Sequence, residues 1–433
     1  MSLGSLDAGR SSRRACVRFL GLLSLAVACV CGAAPLGLQG AEPWTQFRGP
    51  AGDGSSRATG LPTQWSETEH VRWKTPLHGK AWSSPVIWGS QIWLTTATPD
   101  GKQLSVMCVD ADSGKVLRDQ MVFEIEKPQF CIERNSYASS TPVIEEGRLY
   151  VHFGSAGTAC LDTETGKTIW ARQDLPCDHH RGPASSPVLW GDLLFLTFDG
   201  FDVQYVAALD KKTGQTVWKT DRNIEYGSDN GDIKKAYSTP HLIEVNGQPQ
   251  LVDPSAGAAI AYDPKTGAEL WRVRGGGMNA SARPLFAHGL VYISTADGGF
   301  KFFAAKPDGR GDVTQSHVAW KQTKGIPKYS SPCLVGDLLF TSAENGVLSC
   351  LDAKTGEVVW QERVGGSFTA SPITAEGRVY FSNEDGDTFV VAAARKYELA
   401  GRGKLEQGCM ASLAVYDKSL IIRTTKNLYR IDP

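Results

Sequence analysis

The chain has 433 residues, with 45 Lys and Arg against 46 Asp and Glu and a formal net charge of −1. That balance supplies no broad basic field for nucleic acid or anionic lipid, so a nucleic-acid partner is set aside. With 41% hydrophobic and 21% charged residues, the composition is that of a chain able to bury a core.

In chain order, Arg10, Arg13, Arg14 and Arg18 precede an uncharged stretch from Phe19 to Cys31, and small residues then lead to Ala41-Glu42-Pro43-Trp44. This is the layout of a secretory signal peptide, predicted over residues 1–40 with cleavage near Gly40. Its apolar part falls short of the roughly 20 residues of a membrane-spanning helix. No later segment is long and apolar enough to span. An exported monomer is therefore expected, periplasmic or envelope-associated. Ser12-Arg13-Arg14 and Ala26-Val27-Ala28-Cys29 leave the export route and lipid attachment open. Without residues 1–40 the chain keeps 41 basic against 45 acidic residues, a net charge of −4. Seven cysteines remain, at 108, 131, 160, 177, 333, 350 and 409. Cys131 and Cys177 flank one repeat in polar loops and are predicted to form a disulfide. Cys160 and Cys350 fall in strand patterns and read as buried thiols.

After an N-terminal extension over residues 41–68, one unit recurs to the C-terminus. Its heads are Ser84-Pro85, Thr141-Pro142, Ser186-Pro187, Thr239-Pro240, Arg283-Pro284, Ser331-Pro332 and Ser371-Pro372. Short apolar strands such as Leu149–Phe153 follow each head. Each unit then closes on Asp, Thr-Gly and Trp, as in Asp162…Thr165-Gly166…Trp170, Asp210…Gly214…Trp218, Asp263…Gly267…Trp271 and Asp352…Gly356…Trp360. A weaker copy runs from Asp110 through Gly114 to Leu117, and a stretched one ends at Trp320. Pro suits the start of an inner strand, where a missing donor is tolerated, and Gly suits the positive φ of a tight turn. Each Trp is expected in the groove between neighbouring units. Residues 411–432 supply three strands without a Trp strand, and Val71-Arg72-Trp73-Lys74-Thr75-Pro76-Leu77 supplies the missing one. The prediction is all-β: an eight-bladed β-propeller of four-stranded antiparallel blades over residues 69–433, its last blade closed by an N-terminal strand.

These heads and tails resemble the pyrroloquinoline-quinone-type repeat over most of residues 69–433, and Trp44-Thr45-Gln46-Phe47-Arg48-Gly49-Pro50 resembles the mature start of a group of exported repeat proteins. The resemblance implies two function classes, which fold alone does not separate. One is a quinone-dependent dehydrogenase, with pyrroloquinoline quinone and calcium in the central funnel and an aspartate as base. This chain has no Cys-Cys pair of the kind many such enzymes carry, no long insertions and no Cys-x-x-Cys-His haem motif. The other is a non-catalytic scaffold, similar to the lipoprotein subunit of the outer-membrane β-barrel assembly machine. The scaffold reading is preferred, with no cofactor and an envelope protein, peptide or glycan as partner.

Loops entering the inner strands should converge on one face around the channel, which makes their polar and aromatic residues the candidate binding set. These are His78, Lys80 and Trp82; Glu133, Arg134, Asn135 and Tyr137; Asp178, His179, His180 and Arg181; Lys235 and Tyr237; Met278, Asn279 and Arg283; Lys328 and Tyr329; Phe368; and Gln407. No catalytic residue and no metal site is assigned. Asp178-His179-His180 is too local to close a coordination sphere, Asp229-Asn230-Gly231-Asp232 reads as a solvated turn, and Arg310-Gly311-Asp312 as part of a long turn.

Overall fold

A computed structural model describes residues 42–433, so the signal-peptide expectation for residues 1–40 lies outside the described residues. Among the latter no helix is long and apolar enough to cross a membrane.

Each head leads directly into a short inner strand. In the first blade Ser84-Pro85 is followed by Val86–Trp88, and the order continues outward through Gln91–Ala97, Gln103–Asp110 and Val116–Glu124, every neighbour antiparallel. Seven further sheets repeat this order, giving eight blades. We number blades 1 to 8 by their inner strands: Val86–Trp88, Val143–Glu145, Val188–Trp190, His241–Val245, Leu285–Ala287, Cys333–Val335, Ile373–Ala375 and Ala414–Tyr416. Burial explains why the middle strands are continuously apolar. Both faces of Leu193–Asp199 pack on neighbouring blades, whereas every other residue of the outer strand Val116–Glu124 reaches solvent over much of its length.

The Asp-x-x-Thr-Gly tail works as a self-contained turn. The Asp162 carboxylate accepts from Thr165 N at 2.6 Å and Thr165 Oγ1 at 2.8 Å, and Gly166 N donates to Asp162 O at 2.8 Å. The same turn receives the tryptophan of the blade before it. Trp170, Trp218 and Trp320 donate Nε1–H to Lys211, Pro264 and Ala353 carbonyls at 3.0, 3.0 and 3.1 Å. A Cβ on Gly214, Gly267 or Gly356 would stand 2.5–2.7 Å from that ring, so the glycine is needed for closeness as well as for its positive φ. Blade 1 lacks the Trp, and Arg118 and Gln120 bond the Thr165 and Gly166 carbonyls instead, Arg118 Nη1 at 3.0 Å and Gln120 Nε2 at 2.6 Å. Between blades 4 and 5 the seam differs again. The stretched repeat sends Gly311–Asp312, expected in a long turn, alongside Trp271 and Arg272 as a parallel fifth strand, and Trp271 Nε1 turns to Gln250 Oε1 at 2.7 Å.

Blade 8 is composite as expected. Val71–Pro76 pairs antiparallel with Asn427–Ile431, and Trp73 Nε1 reaches the Ala111 carbonyl of blade 1 at 2.9 Å, repeating the ordinary seam across the ring closure. The closure core joins Ile92 and Leu94 of blade 1, Tyr380 and Val390 of blade 7, and Ile421 and Tyr429 of blade 8.

The described cysteines are all free thiols, including buried Cys160 and Cys350. The expected Cys131–Cys177 bridge is not formed. Cys131 Sγ donates to the Arg181 carbonyl at 3.6 Å beside Gly182, whereas Cys177 is buried under Gly200 with His179 Nδ1 3.7 Å away. Polar loop sequence concealed a thiol packed beneath the loop.

Candidate functional site

The site begins with the heads. Backbone N–H of Ser84 donates to Thr141 Oγ1, Thr141 to Ser186, Ser186 to Thr239, Arg283 to Ser331, Ser331 to Ser371, Ser371 to Ser412 and Ser412 to Ser84, all at 2.9–3.0 Å. The heads therefore form a hydrogen-bonded ring around the channel, open at one step, from Thr239 to blade 5, where Arg283 replaces the hydroxyl. Ser412 is the eighth head. Leu413 in place of Pro hid it in the sequence.

The N-terminal extension closes the channel beyond this ring. Ile87 N and Ile144 N donate to Trp44 O and Thr45 O at 2.8 Å, and Thr374 N donates to Gly54 O at 2.8 Å, so one segment bonds to blades 1, 2 and 7. Each of these amides lies three residues past a head, away from the loops. Trp44 is buried against Gly49, whose positive φ and absent side chain admit the ring. The result is a blind cup of about 230 Å³ opening on the loop face, with head hydroxyls and Phe47 at its base.

Of the candidate residues, Trp82, Arg134, Asn135, Arg181, Tyr237, Asn279, Lys328 and Tyr329 line the cup. Arg134 belongs to the blade 2 loop yet reaches blades 6 and 7. Its Nη2 lies 2.6 Å from Glu384 Oε1 and its guanidinium 5.3 Å from the Tyr329 ring, with Lys328 Nζ 5.1 Å from the same ring. Trp82 Nε1 holds the Arg134 carbonyl at 3.1 Å. Asp297 accepts from Lys328 Nζ at 2.9 Å and Asn279 Nδ2 at 2.9 Å, and against the opposing effect of burial these bonds keep its carboxyl below the usual range. Arg181 faces Asp232 at 3.3 Å.

The other candidates sit elsewhere. His78 pairs with Asp119 at 2.9 Å, outside the cup, and Lys80 bonds the Glu133 carbonyl. Tyr137 bonds Gln129 O at 2.7 Å, Asp178 Oδ1 accepts from His180 N at 2.9 Å, and Met278 bridges to Ala296 and Asp297 through backbone. His180 lies against Phe201 with ring centroids 4.8 Å apart, Lys235 is buried on Asp232, and Gln407 meets Asn427 at 3.5 Å. Three of them are core or channel residues. Phe368 packs on Phe389, and Arg283 turns below the head ring to the N-terminal extension. His179 is buried, with Nε2 accepting from Ser155 N at 3.0 Å, and burial pushes its pKa down to about 4. Sequence reasoning missed Phe47, the head hydroxyls, Asp297, Thr369 and Met410, which also line the cup. The regular Ser/Thr at the heads was the available signal for the hydroxyls; Asp297 comes from a turn inside blade 5 that no pattern marked.

A bound quinone with calcium requires acidic and amide donors together. The lining supplies one carboxylate, Asp297, and the Lys328 ammonium already stands against it. No group of three His, Cys, Asp or Glu able to hold a metal occurs among the described residues. The residues present do not fit that pair.

A family model described as outer membrane protein assembly factor BamB matches residues 66–203, 202–311 and 307–400. The chain is 27% identical over 258 residues to the quinohemoprotein alcohol dehydrogenase ADH-IIG of Pseudomonas putida, covering 51% of this chain and 32% of that one. It is 25% identical over 219 residues to the outer membrane protein assembly factor BamB of Legionella pneumophila, covering 47% of this chain and 49% of that one. The matches thus span between a third and half of these relatives' lengths. In three dimensions it resembles BamB of Moraxella catarrhalis with a TM-score of 0.59 at 13% identity, over 83% of this chain and 99% of that one, which speaks for the fold alone.

Proposed function

The chain belongs to the family described as outer membrane protein assembly factor BamB, and from that membership we propose that it is an exported, non-catalytic scaffold of the bacterial envelope that takes a segment of a partner protein into its cup. The observation that carries the reading is the blind, donor-rich cup. Its base is a ring of hydroxyls, and Arg134, Arg181 and Lys328 line its wall in partly hydrated pairs with Glu384, Asp232 and Asp297 that an acidic ligand could replace. Such a surface suits a ligand rich in acceptors, an extended acidic segment above all. Exposed Phe130, with its ring centroid 6.4 Å from that of His180, offers an apolar foothold at the rim.

The second reading is a quinone-dependent dehydrogenase, supported by the identity to ADH-IIG but not by the lining, which does not fit the quinone and calcium. Calorimetric titration separates the two. A blocked Asp/Glu-rich decapeptide should bind, its Lys/Arg-rich counterpart should not, and Lys328→Ala should weaken the acidic peptide. Stoichiometric binding of pyrroloquinoline quinone with calcium, with dye reduction by alcohols, would overturn the scaffold reading.

A further inference from the structure

Two arginines lie inside the channel without an ion-pair partner, the field of nearby Asp53 being the one acidic influence that reaches both. Arg48 and Arg283 are 1% and 2% exposed. Arg48 Nη2 donates to Pro332 O at 2.7 Å and to the Asp53 carbonyl; Arg283 donates to Phe47 O at 2.8 Å and Gln46 Oε1 at 3.1 Å. Every one of these acceptors is neutral. Arg48 Nε and Nη1 and Arg283 Nε have no partner, and neither does Nδ1 of buried His241, which feels the field of both arginines.

The two guanidiniums press on the same turn of the N-terminal extension. A Cβ on Gly52 would stand 2.5–2.7 Å from the Arg283 guanidinium, and one on Gly54 2.7 Å from Arg48 Nη2. The carboxylate in this turn, Asp53, spends Oδ1 on Ser55 N at 2.8 Å and Ser55 Oγ at 2.7 Å. Among the described residues no carboxylate makes an ion pair with either arginine.

Burying a charge costs several kcal/mol unless it is paired, and a guanidinium resists the usual escape of losing its proton. Burial lowers Arg48 to about 10 and Arg283 to about 9, which still leaves both charged at neutral pH. Two buried positive charges, offset in part by the field of Asp53, and three unsatisfied guanidinium nitrogens thus share one region of the channel.

We propose that this region binds one small inorganic anion of the halide class, held by Arg48 and Arg283, which pins the N-terminal extension into the channel. With Arg48 and Arg283 1% and 2% exposed, only a small anion could reach both guanidiniums. The site is distinct from the cup and does not depend on which reading of the cup holds.

The test uses bromide on the protein from residue 41 onward, freed of chloride by dialysis into gluconate. Crystals grown in bromide should show an anomalous peak in hydrogen-bonding contact with the Arg48 and Arg283 guanidiniums; water or no density there would overturn the proposal. At fixed ionic strength, melting temperature should rise with bromide replacing gluconate. In Arg283→Ser, which restores the hydroxyl present at every other head, that rise should vanish. An equal rise in both proteins would contradict the assignment. Should the variant not fold, the anomalous map on the native protein decides alone.

Discussion

The two ends of the channel are built by opposite means. At the closed end, a single segment from Trp44 to Gly54 satisfies backbone groups of blades 1, 2 and 7 and buries Trp44, Arg48 and the turn glycines. At the open end, side chains from separate loops meet one another. Arg134 of blade 2 meets Glu384 of blade 7 with 48% and 21% of their side chains exposed, and Lys328 of blade 6 meets Asp297 of blade 5 with 23% and 33% exposed. Buried backbone bonds and ring packing carry stability, whereas partly hydrated ion pairs contribute about 0–1 kcal/mol. The closed end is therefore a structural element, and the open end can rearrange around a ligand at small cost.

Removing Val71–Pro76 should break this contrast most completely. The ring then loses the outer strand of blade 8 and the Trp73 seam, and thermal unfolding followed by circular dichroism should no longer be cooperative. Removing residues 42–60 alone should leave a cooperative melt at lower temperature.

Trp44→Ala comes next, with an expected loss of about 3–5 kcal/mol in urea unfolding, since a buried ring is deleted from the closed end.

Acidification probes the layer beneath the open rim. Burial lowers His152 to about 3 and His179 to about 4. A base with a depressed folded value stabilises fully above its unfolded pKa near 6.5, and that contribution fades as pH falls toward the folded value. Each histidine should therefore cost about 1.4 kcal/mol per pH unit between about pH 6.5 and pH 4. Urea midpoints at pH 7, 6 and 5 check the slope, and His179→Gln should reduce it.

The smallest effect on stability is expected for Arg134→Ala, within about 1 kcal/mol, although the same change should weaken ligand binding in the cup.

Much of the fold was legible because its rules are local. The Ser-Pro heads, the Asp-x-x-Thr-Gly turns and the Trp strands each fix a strand boundary, and eight repetitions leave one ring to close. The fifth strand at Gly311–Asp312 escaped because it belongs to one blade in sequence and another in space. The cup was legible only in part. Loop position pointed to Arg134, Lys328 and Tyr329, which line the cup, but it could not distinguish Arg181, on the wall, from its neighbour His179, packed below. Arg283 was visible as a break in the Ser/Thr pattern. Its direction, toward an N-terminal segment more than 200 residues away, depends on a long-range contact that no periodicity encodes.

The most direct test places a photo-cross-linking amino acid at Tyr329 in the cup and, separately, at exposed Lys418 on the closed side, in the native host cell. The account predicts one defined protein adduct from position 329, joined through an acidic segment and lost when Lys328→Ala is added. Adducts formed equally from position 418, or unaffected by the charge removal, would contradict it.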